Sequence, residues 1–143
     1  MNMVSRVRLA TSKDAEALSR LNQEFNGGDK RPSAEIIESL NKSNELIAVA
    51  VISDNVVGFG CAQSFQSFCY KELQGEITEM YVKEAARRKG IAASLISCLE
   101  ENLIARGVKS IKVLTGRGNE AAINTYEHCN YVKDDELLLK KKY

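Results

Sequence analysis

Apolar and polar positions alternate in patterns that divide the chain into strands and amphipathic helices. Val4–Leu9 alternates with a period of two, which predicts a first strand, and the dense apolar run Leu46–Ile52 predicts a buried second strand. Leu95, Leu99 and Leu103 recur every four residues, as on the buried face of a long helix. The same patterns predict strands over 4–9, 46–52, 56–68, 76–82 and 108–114, helices over 12–25, 91–106 and 119–128, a short helix capped by Ser33, and one last extended piece from Tyr131.

The order of these elements predicts how the strands pair. Residues 76–114 read as strand, helix, strand, which makes two parallel strands joined by a right-handed crossover. Asp54-Asn55 is a turn signal between two earlier strands, which predicts an antiparallel hairpin. The fold class is therefore α/β (α+β): a mixed, mostly antiparallel sheet with a parallel pair between its fourth and fifth strands, and helices packed on it.

Composition and charge narrow the class of protein. The chain has 143 residues, of which 44% are hydrophobic and 27% charged, which predicts one globular domain over residues 1–143. The net charge is +1 and the basic residues are spread along the chain, so we expect no nucleic-acid partner. No apolar run approaches a membrane span and residues 1–8 lack a signal-peptide core, so we expect no membrane partner and a cytoplasmic location.

The cysteines do not form a metal-binding pattern. They contain no CxxC pair, and His128 is the single histidine of the sequence. We therefore expect reduced thiols and no metal site. The cysteines are Cys61, Cys69, Cys98 and Cys129.

A cluster of cations and small residues precedes the long predicted helix. The run is Arg87-Arg88-Lys89-Gly90-Ile91-Ala92. Backbone N–H groups at a helix amino end lack intrahelical partners, and the helix dipole favours negative charge there. Small residues let a phosphate approach the backbone, so this end is a candidate pyrophosphate site. The alternative is a solvated basic loop in which Gly90 only starts a helix.

A second glycine pattern follows the fifth predicted strand. Residues 116–121 fit G-x-G-x-x-A between a strand and a helix, as in dinucleotide-binding sites. Only one further strand can follow, too few for a nucleotide-binding half-domain, so a glycine-punctuated turn is the better interpretation. Asn119 and Tyr126, seven residues apart on the next helix, share one face beside the cleft at the strand ends.

Two motifs in the right order resemble the GNAT superfamily of N-acetyltransferases, over nearly the whole chain. The signature Q/R-x-x-G-x-G/A is met by Arg87, Gly90 and Ala92. A second signature is met by Asn119, Ala122, Tyr126 and Tyr131. The resemblance implies a GNAT-like sheet with helices on both faces and acetyl-CoA as co-substrate. It also implies a homodimer built on strand edges.

The resemblance implies cofactor-binding roles for three groups of residues. The fourth strand pairs with the pantetheine arm through main-chain groups of Met80, Tyr81 and Val82, and the N–H of Met80 or Tyr81 polarises the thioester carbonyl. Asn119 and Tyr126 contact the same cofactor arm. The pyrophosphate is held by Arg87, Arg88, Lys89, Gly90, Ile91, Ala92 and Ala93.

Three residues are candidates for the catalytic step. Tyr126 resembles the family's general acid, which protonates the departing thiolate. The amine must be neutral to attack, and Glu79 or Glu76 would assist its deprotonation, with Glu79 favoured. These two glutamates are three positions apart and point to opposite faces of a regular strand, unless a bulge intervenes. The alternative for each is a surface ion pair, and for Tyr126 simple packing.

The function implied is transfer of an acetyl group from acetyl-CoA to a primary amine. The acceptor classes left open are a polyamine, an aminoglycoside-like antibiotic, an amino-acid-like metabolite and a protein amine. Asp29 and Glu24 are candidates for attracting it, and Phe65, Phe68 and Tyr70 for lining its pocket. A catalytic His128, or a Cys69 or Cys129 acyl carrier, is the weaker hypothesis. The competing function is a non-catalytic acyl-CoA sensor or interaction module.

Overall fold

A computed structural model describes residues 5–143. Its strands are β1 Ser5–Leu9, β2 Leu46–Ile52, β3 Asn55–Phe65, β4 Leu73–Val82 and β5 Val108–Val113. Its α-helices are α1 Ala15–Asn26, α2 Ser33–Lys42, α3 Ile91–Ala105 and α4 Glu120–His128, with single 3₁₀ turns at Ser12–Asp14 and Glu84–Ala86. No helix within the described range is long and apolar enough to cross a bilayer.

The strands form one sheet in the order β1-β2-β3-β4-β5. The first three pairings are antiparallel, and β4 pairs with β5 in parallel, which confirms the predicted topology. Leu95, Leu99 and Leu103 of α3 are fully buried in a cluster on one face. Leu18 and Leu21 of α1 and Ile36 of α2 lie in a second cluster on the opposite face. The helices therefore cover both faces, as the resemblance implied.

A bulge interrupts β4 at Thr78. Glu79 lies opposite Cys61 of β3, and Ile77 lies opposite the next residue, Ala62, so that Thr78 has no partner of its own. One extra residue in a strand reverses the alternation of side chains beyond it. Because Ile77 packs against α3, both Glu76 and Glu79 project from the other face, beside α1 and α2.

β4 and β5 separate after the bulge. Their last paired residues are Ile77 and Val113. β4 then continues to Val82 without β5 beside it. Main-chain groups on that edge of β4 have no neighbouring strand within the described part of the chain. This unpaired edge leaves an opening between β4 and β5, and the bond from Arg87 to Val82 ties the loop before α3 to its far end.

Several predicted boundaries need correction. The hairpin turn lies at Ser53 and Asp54, both with positive φ, one position earlier than predicted. β3 ends at Phe65 rather than at residue 68, and β4 begins at Leu73 rather than at residue 76. Ser33 is the first residue of α2, and its hydroxyl bonds to Glu16 instead of capping the helix. The predicted start of β1 at Val4 lies outside the described residues.

The chain after α4 has no regular secondary structure and does not join the sheet. The sequence predicts a last extended piece from Tyr131, yet no strand follows Val113 among the described residues. Tyr131 is held by its hydroxyl, which donates to Glu100, and by edge-on packing against Tyr126. Beyond it Leu137, Leu138 and Leu139 are 76%, 62% and 87% exposed. A segment counts as a strand only when its backbone pairs with a sheet edge, and this segment pairs with none, although the outer edge of β5 is unpaired among the described residues.

Candidate active site

The backbone N–H groups in the first turn of α3 have no side chain that caps them. Gly90 precedes the helix with a φ of +74°, and Arg88 also has a positive φ of +65°. The carbonyl of Gly90 accepts from the N–H of Ser94, which leaves the N–H groups of the first helical residues directed outwards. The dipole of this 15-residue helix adds positive potential at the same place.

The three cations before this helix are used differently. The Nε of Arg87 donates to the carbonyl of Val82 over 2.8 Å, and its guanidinium lies 5.8 Å from the centre of the Tyr81 ring. Arg87 therefore ties the loop to the end of β4. Arg88 and Lys89 are exposed and form no ion pair with any described residue. They are the cations available to an anionic ligand.

The opening between β4 and β5 fits an extended ligand arm. Met80 lies on the α3 face, where its side chain covers Gly60, and the aromatic ring of Tyr81 lies on the opposite face against Phe25. The main-chain N–H and C=O groups of this part of β4 have no paired strand on the side of β5. At the bulge, the buried Thr78 Oγ1 has no hydrogen-bond partner among the described residues. Buried hydroxyls are rarely left unpaired, so a bound group is expected to complete this site.

Tyr126 lies near the carboxyl end of β5, where it lines a groove with Val113 and Thr115. The ring is 7% exposed and packs in the α3 cluster, 5.6 Å from the ring of Tyr131. Its hydroxyl has no hydrogen-bond partner among residues 5–143. Burial, with a smaller contribution from Cys129, raises the pKa of Tyr126 to about 12, so the phenol holds its proton at neutral pH.

Asn119 has a structural use in the free protein. Its Oδ1 accepts from the N–H of Ala122 over 3.2 Å and so caps α4. The turn before it is closed by the bond from the N–H of Asn119 to the carbonyl of Gly116. Residues 116–121 thus form a turn and a helix start, and Asn119 orients the helix that carries Tyr126.

Three carboxylates lie on the α1 and α2 face of the sheet. Glu76 is paired with Lys112 of β5 over 3.8 Å. Glu79 is exposed and has neither an ion pair nor a hydrogen bond with any described residue. Glu45 precedes β2, where residue 47 pairs with Cys61, and so lies near the same place. The sequence analysis did not identify Glu45 as a site residue. The one signal in the sequence is that this carboxylate directly precedes the apolar run of β2.

The pKa shifts around Cys61 show that Glu45 and Glu79 share one environment. Burial raises the pKa of Glu45, a bond from Cys61 opposes this, and the charge of Glu79 raises it further. Burial also raises the pKa of the Cys61 thiol, and the negative charges of Glu45 and Glu79 add to that rise. The charge of Arg31 lowers the pKa of Glu45 and offsets only part of this negative potential, so the face remains attractive to a cation.

Other candidates from the sequence fall outside this cluster. Glu24 accepts from the Tyr81 hydroxyl over 3.1 Å and lies 3.8 Å from Lys83, so its charge is already compensated. Phe65 lies beneath Lys112, with 5.5 Å between the ammonium and the ring centre. Phe68 and Tyr70 are 101% and 59% exposed, and Tyr70 lines a cavity of about 330 Å³ with Glu72 and Lys109, away from the three carboxylates. Asp29 lies in the exposed loop between α1 and α2.

The remaining reactive side chains are His128 and the four cysteines, of which Cys129 lies beside Tyr126. His128 is exposed and its Nδ1 lies 2.7 Å from the carbonyl of Asn124, one turn earlier in α4. All four cysteines are free thiols, of which Cys61 is buried and Cys69 exposed. Within residues 5–143, no three His, Cys, Asp or Glu side chains are close enough together to hold a metal ion.

Comparison with known proteins identifies the family. The Acetyltransferase (GNAT) family matches residues 15–131. The acetyltransferase YE1169 of Yersinia enterocolitica is 32% identical over 111 residues, which cover 78% of this chain and 74% of that protein. An acetyltransferase of Sodalis glossinidius is 34% identical over the same shares of the two chains. The chain therefore belongs to the GNAT family of acetyltransferases.

Solved structures share the fold across almost the whole chain. An aminoglycoside acetyltransferase from a soil metagenome has a TM-score of 0.85 at 15% identity, covering 97% of this chain and 95% of its own. An aminoglycoside N-acetyltransferase in complex with CoA has a TM-score of 0.84 at 15% identity, covering 99% and 97%. Family membership makes the protein an acetyl-CoA-dependent acyltransferase, and the bare opening beside α3 fits that co-substrate.

Proposed function

We propose that the protein transfers the acetyl group of acetyl-CoA directly to a primary amine of a cationic small molecule. The observation that carries this proposal is the bulge at Thr78, which directs Glu79 and Glu76 to the same face as Glu45. The acceptor classes are polyamine, aminoglycoside-like and amino-acid-like amines. A protein amine is the less favoured acceptor, because the carboxylates lie on the sheet beside α1 and α2.

Acetyl-CoA would be held by the opening between β4 and β5 and by the amino end of α3, and it supplies an activated acetyl thioester. The bare N–H groups of the helix start and the unpaired cations Arg88 and Lys89 favour a pyrophosphate. Arg87 fixes the loop to Val82 in the free protein. The main chain of β4 would pair with the pantetheine arm as an added strand. The residues assigned to this role are Met80, Tyr81, Val82, Arg87, Arg88, Lys89, Gly90, Ile91, Ala92, Ala93, Asn119 and Tyr126.

The carboxylates act on the amine in two ways. At about pH 7 a lysine-like amine is neutral in about one molecule in a thousand, so attack requires loss of a proton. Glu79 carries an uncompensated charge and accepts that proton, directly or through water. Glu45 and Glu76 add negative potential that concentrates a cation at this face. Glu76 contributes less negative potential, because its charge is partly offset by the ion pair with Lys112.

Tyr126 acts on the leaving group. Its buried hydroxyl is protonated and has no partner among the described residues, so it is available to donate to the departing sulfur. A phenol with a pKa of about 12 is a weaker acid than an ordinary thiol, whose pKa is about 8.5. Tyr126 therefore stabilises the developing thiolate mainly by hydrogen bonding. Thr78 Oγ1 and the backbone N–H groups next to the bulge would complete the stabilisation of the thioester carbonyl.

A panel of amines with released CoA as the readout tests the proposal. We expect acetylation of compounds with two or more amino groups. Matched compounds that keep one amine but carry a neutral or carboxylate group in place of the second are expected to be much poorer substrates. Acetyl-CoA without amine measures background hydrolysis. Release of CoA that no amine stimulates would contradict the acyl-transfer proposal and favour a non-catalytic acyl-CoA sensor.

A further inference from the structure

Lys112 of β5 lies between a carboxylate and an aromatic ring on the α1 and α2 face of the sheet. Its neighbours Ile111 and Val113 pack in the α3 cluster, so the lysine projects from the opposite face. Its Nζ lies 3.8 Å from Glu76 Oε1 and 5.5 Å from the centre of the Phe65 ring. We call Phe65 and Glu76 the ammonium site, because together they hold an ammonium group in the free protein.

The ammonium site attracts a cation through two contacts of different kinds. An ammonium within about 6 Å of a ring centre is attracted by the negative face of the aromatic ring, and the carboxylate adds Coulomb attraction. Gln63 lies opposite Glu76 on β3, and its side chain is exposed. The amide oxygen of Gln63 is a further acceptor for an N–H group. These groups suit a primary ammonium, whichever molecule carries it.

Lys112 is held weakly in the ammonium site. Its side chain is 57% exposed, against 26% for Glu76. The distance of 3.8 Å between the two charges is too long for a hydrogen bond, so only an ion pair joins them. Ion pairs of exposed side chains contribute little to stability, and exposed side chains change rotamer rapidly. A competing ammonium group can therefore displace the lysine at small cost.

The ammonium site lies close to Glu79, the proposed base. Glu79 and Glu76 lie opposite Cys61 and Gln63, which are two residues apart on β3. The backbone positions of the two glutamates are therefore about 7 Å apart along the strand, twice the rise of one residue. An acceptor whose reacting amine lies at Glu79 can place a second amine in the ammonium site if a short chain separates the two.

We propose that the ammonium site takes the second ammonium group of the acceptor, and that Lys112 occupies the site until such an acceptor displaces it. The inference rests on the proposed function, because it takes the reacting amine to lie at Glu79. Lys112 is then a specificity-determining residue. An acceptor with one amine leaves the lysine in place, whereas a diamine must displace it. The lysine therefore lowers the affinity for diamines relative to monoamines.

Calorimetry on the full chain with CoA present tests the proposal, because CoA fills the co-substrate site without an acetyl group to transfer. The ligands are 1,5-diaminopentane and pentylamine, which share a carbon chain and differ in the second amine. Lys112→Met keeps the length of the side chain and removes its charge. The affinity for the diamine relative to the monoamine is expected to rise about fivefold in this variant.

The matched control is Lys109→Met on the same strand. Lys109 is exposed and forms no ion pair with any described residue, so its substitution removes one positive charge without emptying the ammonium site. The wild-type ratio of affinities is expected for this control. Circular dichroism and thermal unfolding of each variant show whether the fold is kept.

Two further substitutions separate a contact in the ammonium site from a general effect of charge. In the Lys112→Met background, Phe65→Leu is expected to remove at least about half of the gain, although it changes no charge. Glu76→Gln is expected to lower the affinity for the diamine about fivefold in that background, and less than about twofold in the wild type. The unequal effects follow because Lys112 already pairs with Glu76 in the wild type.

An unchanged ratio of affinities in Lys112→Met, or an equal gain in Lys109→Met, would overturn the inference. Failure of the diamine to bind Lys112→Met would overturn it too, as would a gain that Phe65→Leu and Glu76→Gln both leave intact. Acetylation assays with the same two amines judge the proposed function separately. If the ratio rises as expected but neither amine stimulates release of CoA, the ammonium site stands and the acyl-transfer proposal fails.

Discussion

Glu76 and Glu79 project from the same face of the sheet although three positions separate them along β4. The bulge at Thr78 is the cause, because it places Glu79 opposite Cys61 and Ile77 opposite Ala62. The two carboxylates differ in their surroundings. Glu76 lies 3.8 Å from Lys112, whereas Glu79 has no countercharge within the described residues. One strand thus carries a compensated and an uncompensated carboxylate beside the same opening.

This difference predicts unequal effects of removing the two charges. Glu79→Gln is expected to lower kcat/KM for a cationic amine by about 100-fold, the low end of losses for an acid–base residue. Glu76→Gln is expected to have a much smaller effect, because Lys112 already offsets that charge. The control is Glu101→Gln on the exposed side of α3, with wild-type kinetics expected. Equal losses at positions 76 and 79, or none at 79, would contradict the assignment.

Removal of the Tyr126 hydroxyl is predicted to affect turnover and not binding. Tyr126→Phe is expected to lower kcat by about 10- to 100-fold, with CoA affinity kept within about twofold. Because the pKa of Tyr126 is about 12, the phenol stays protonated through the working range. The ratio of wild-type to variant kcat is therefore expected to stay constant from about pH 7 to about pH 10.

A ratio that falls toward one as the pH rises through this range would mean that the phenol ionises there, and would contradict the buried environment of Tyr126. Tyr131→Phe is the matched control. It removes a hydroxyl that donates to Glu100, so it is expected to lower stability with little direct effect on kcat.

The unpaired hydroxyl of Thr78 predicts a variant that is more stable and less active. A buried hydroxyl without a partner costs about 1–3 kcal/mol, so the isosteric Thr78→Val is expected to raise the free energy of unfolding by about 1 kcal/mol. If the hydroxyl acts on the bound reactants, kcat falls in the same variant. Thr125→Val is the control, since Thr125 already donates to the Ala121 carbonyl over 2.9 Å and its loss gives no stabilisation. Denaturant unfolding and steady-state kinetics on the same samples decide the outcome.

Gly90 is predicted to be required because it adopts a positive φ, and not because a side chain at this position would clash with a neighbour. Its φ is +74°, and an added Cβ would meet nothing within 4 Å. Gly90→Ala is therefore expected to cost about 1–2 kcal/mol of stability and to weaken CoA binding by disturbing the start of α3. Gly118→Ala also has open space around it but no positive φ, so it is expected to be near neutral. Equal thermal shifts for the two variants would contradict this reading of the helix start.

The bounds of helices and strands were predicted most accurately where apolar residues are most frequent. β2 has the predicted bounds because polar residues flank seven consecutive apolar residues and so mark both ends of the strand. α3 ends within one residue of the prediction. Its leucines identify the buried face of the helix, and Gly107 identifies where the helix stops. β4 was predicted three residues short, because Gln74 and Gly75 look like loop residues. They belong to the strand because β3 and β5 pair with them on both sides.

The site itself was only partly readable from the sequence. The helix start at Gly90 and the position of Tyr126 follow from local motifs. The bulge at Thr78 could not be predicted, because it is a property of the register between β3 and β4 and leaves no mark in composition. Glu45 joins the carboxylates only through tertiary contacts. The final piece has strand character in its sequence, but it pairs with no sheet edge among the described residues.

The central claim is that the pyrophosphate of the co-substrate lies on the amino end of α3. Isothermal titration calorimetry with CoA, and separately with pantetheine, tests it most directly, because pantetheine keeps the arm and lacks the pyrophosphate. We predict binding of CoA at least about 100-fold tighter than that of pantetheine, with much of the difference lost when Arg88 and Lys89 are both changed to Gln. Equal affinities for the two ligands, or no heat with CoA, would contradict the claim.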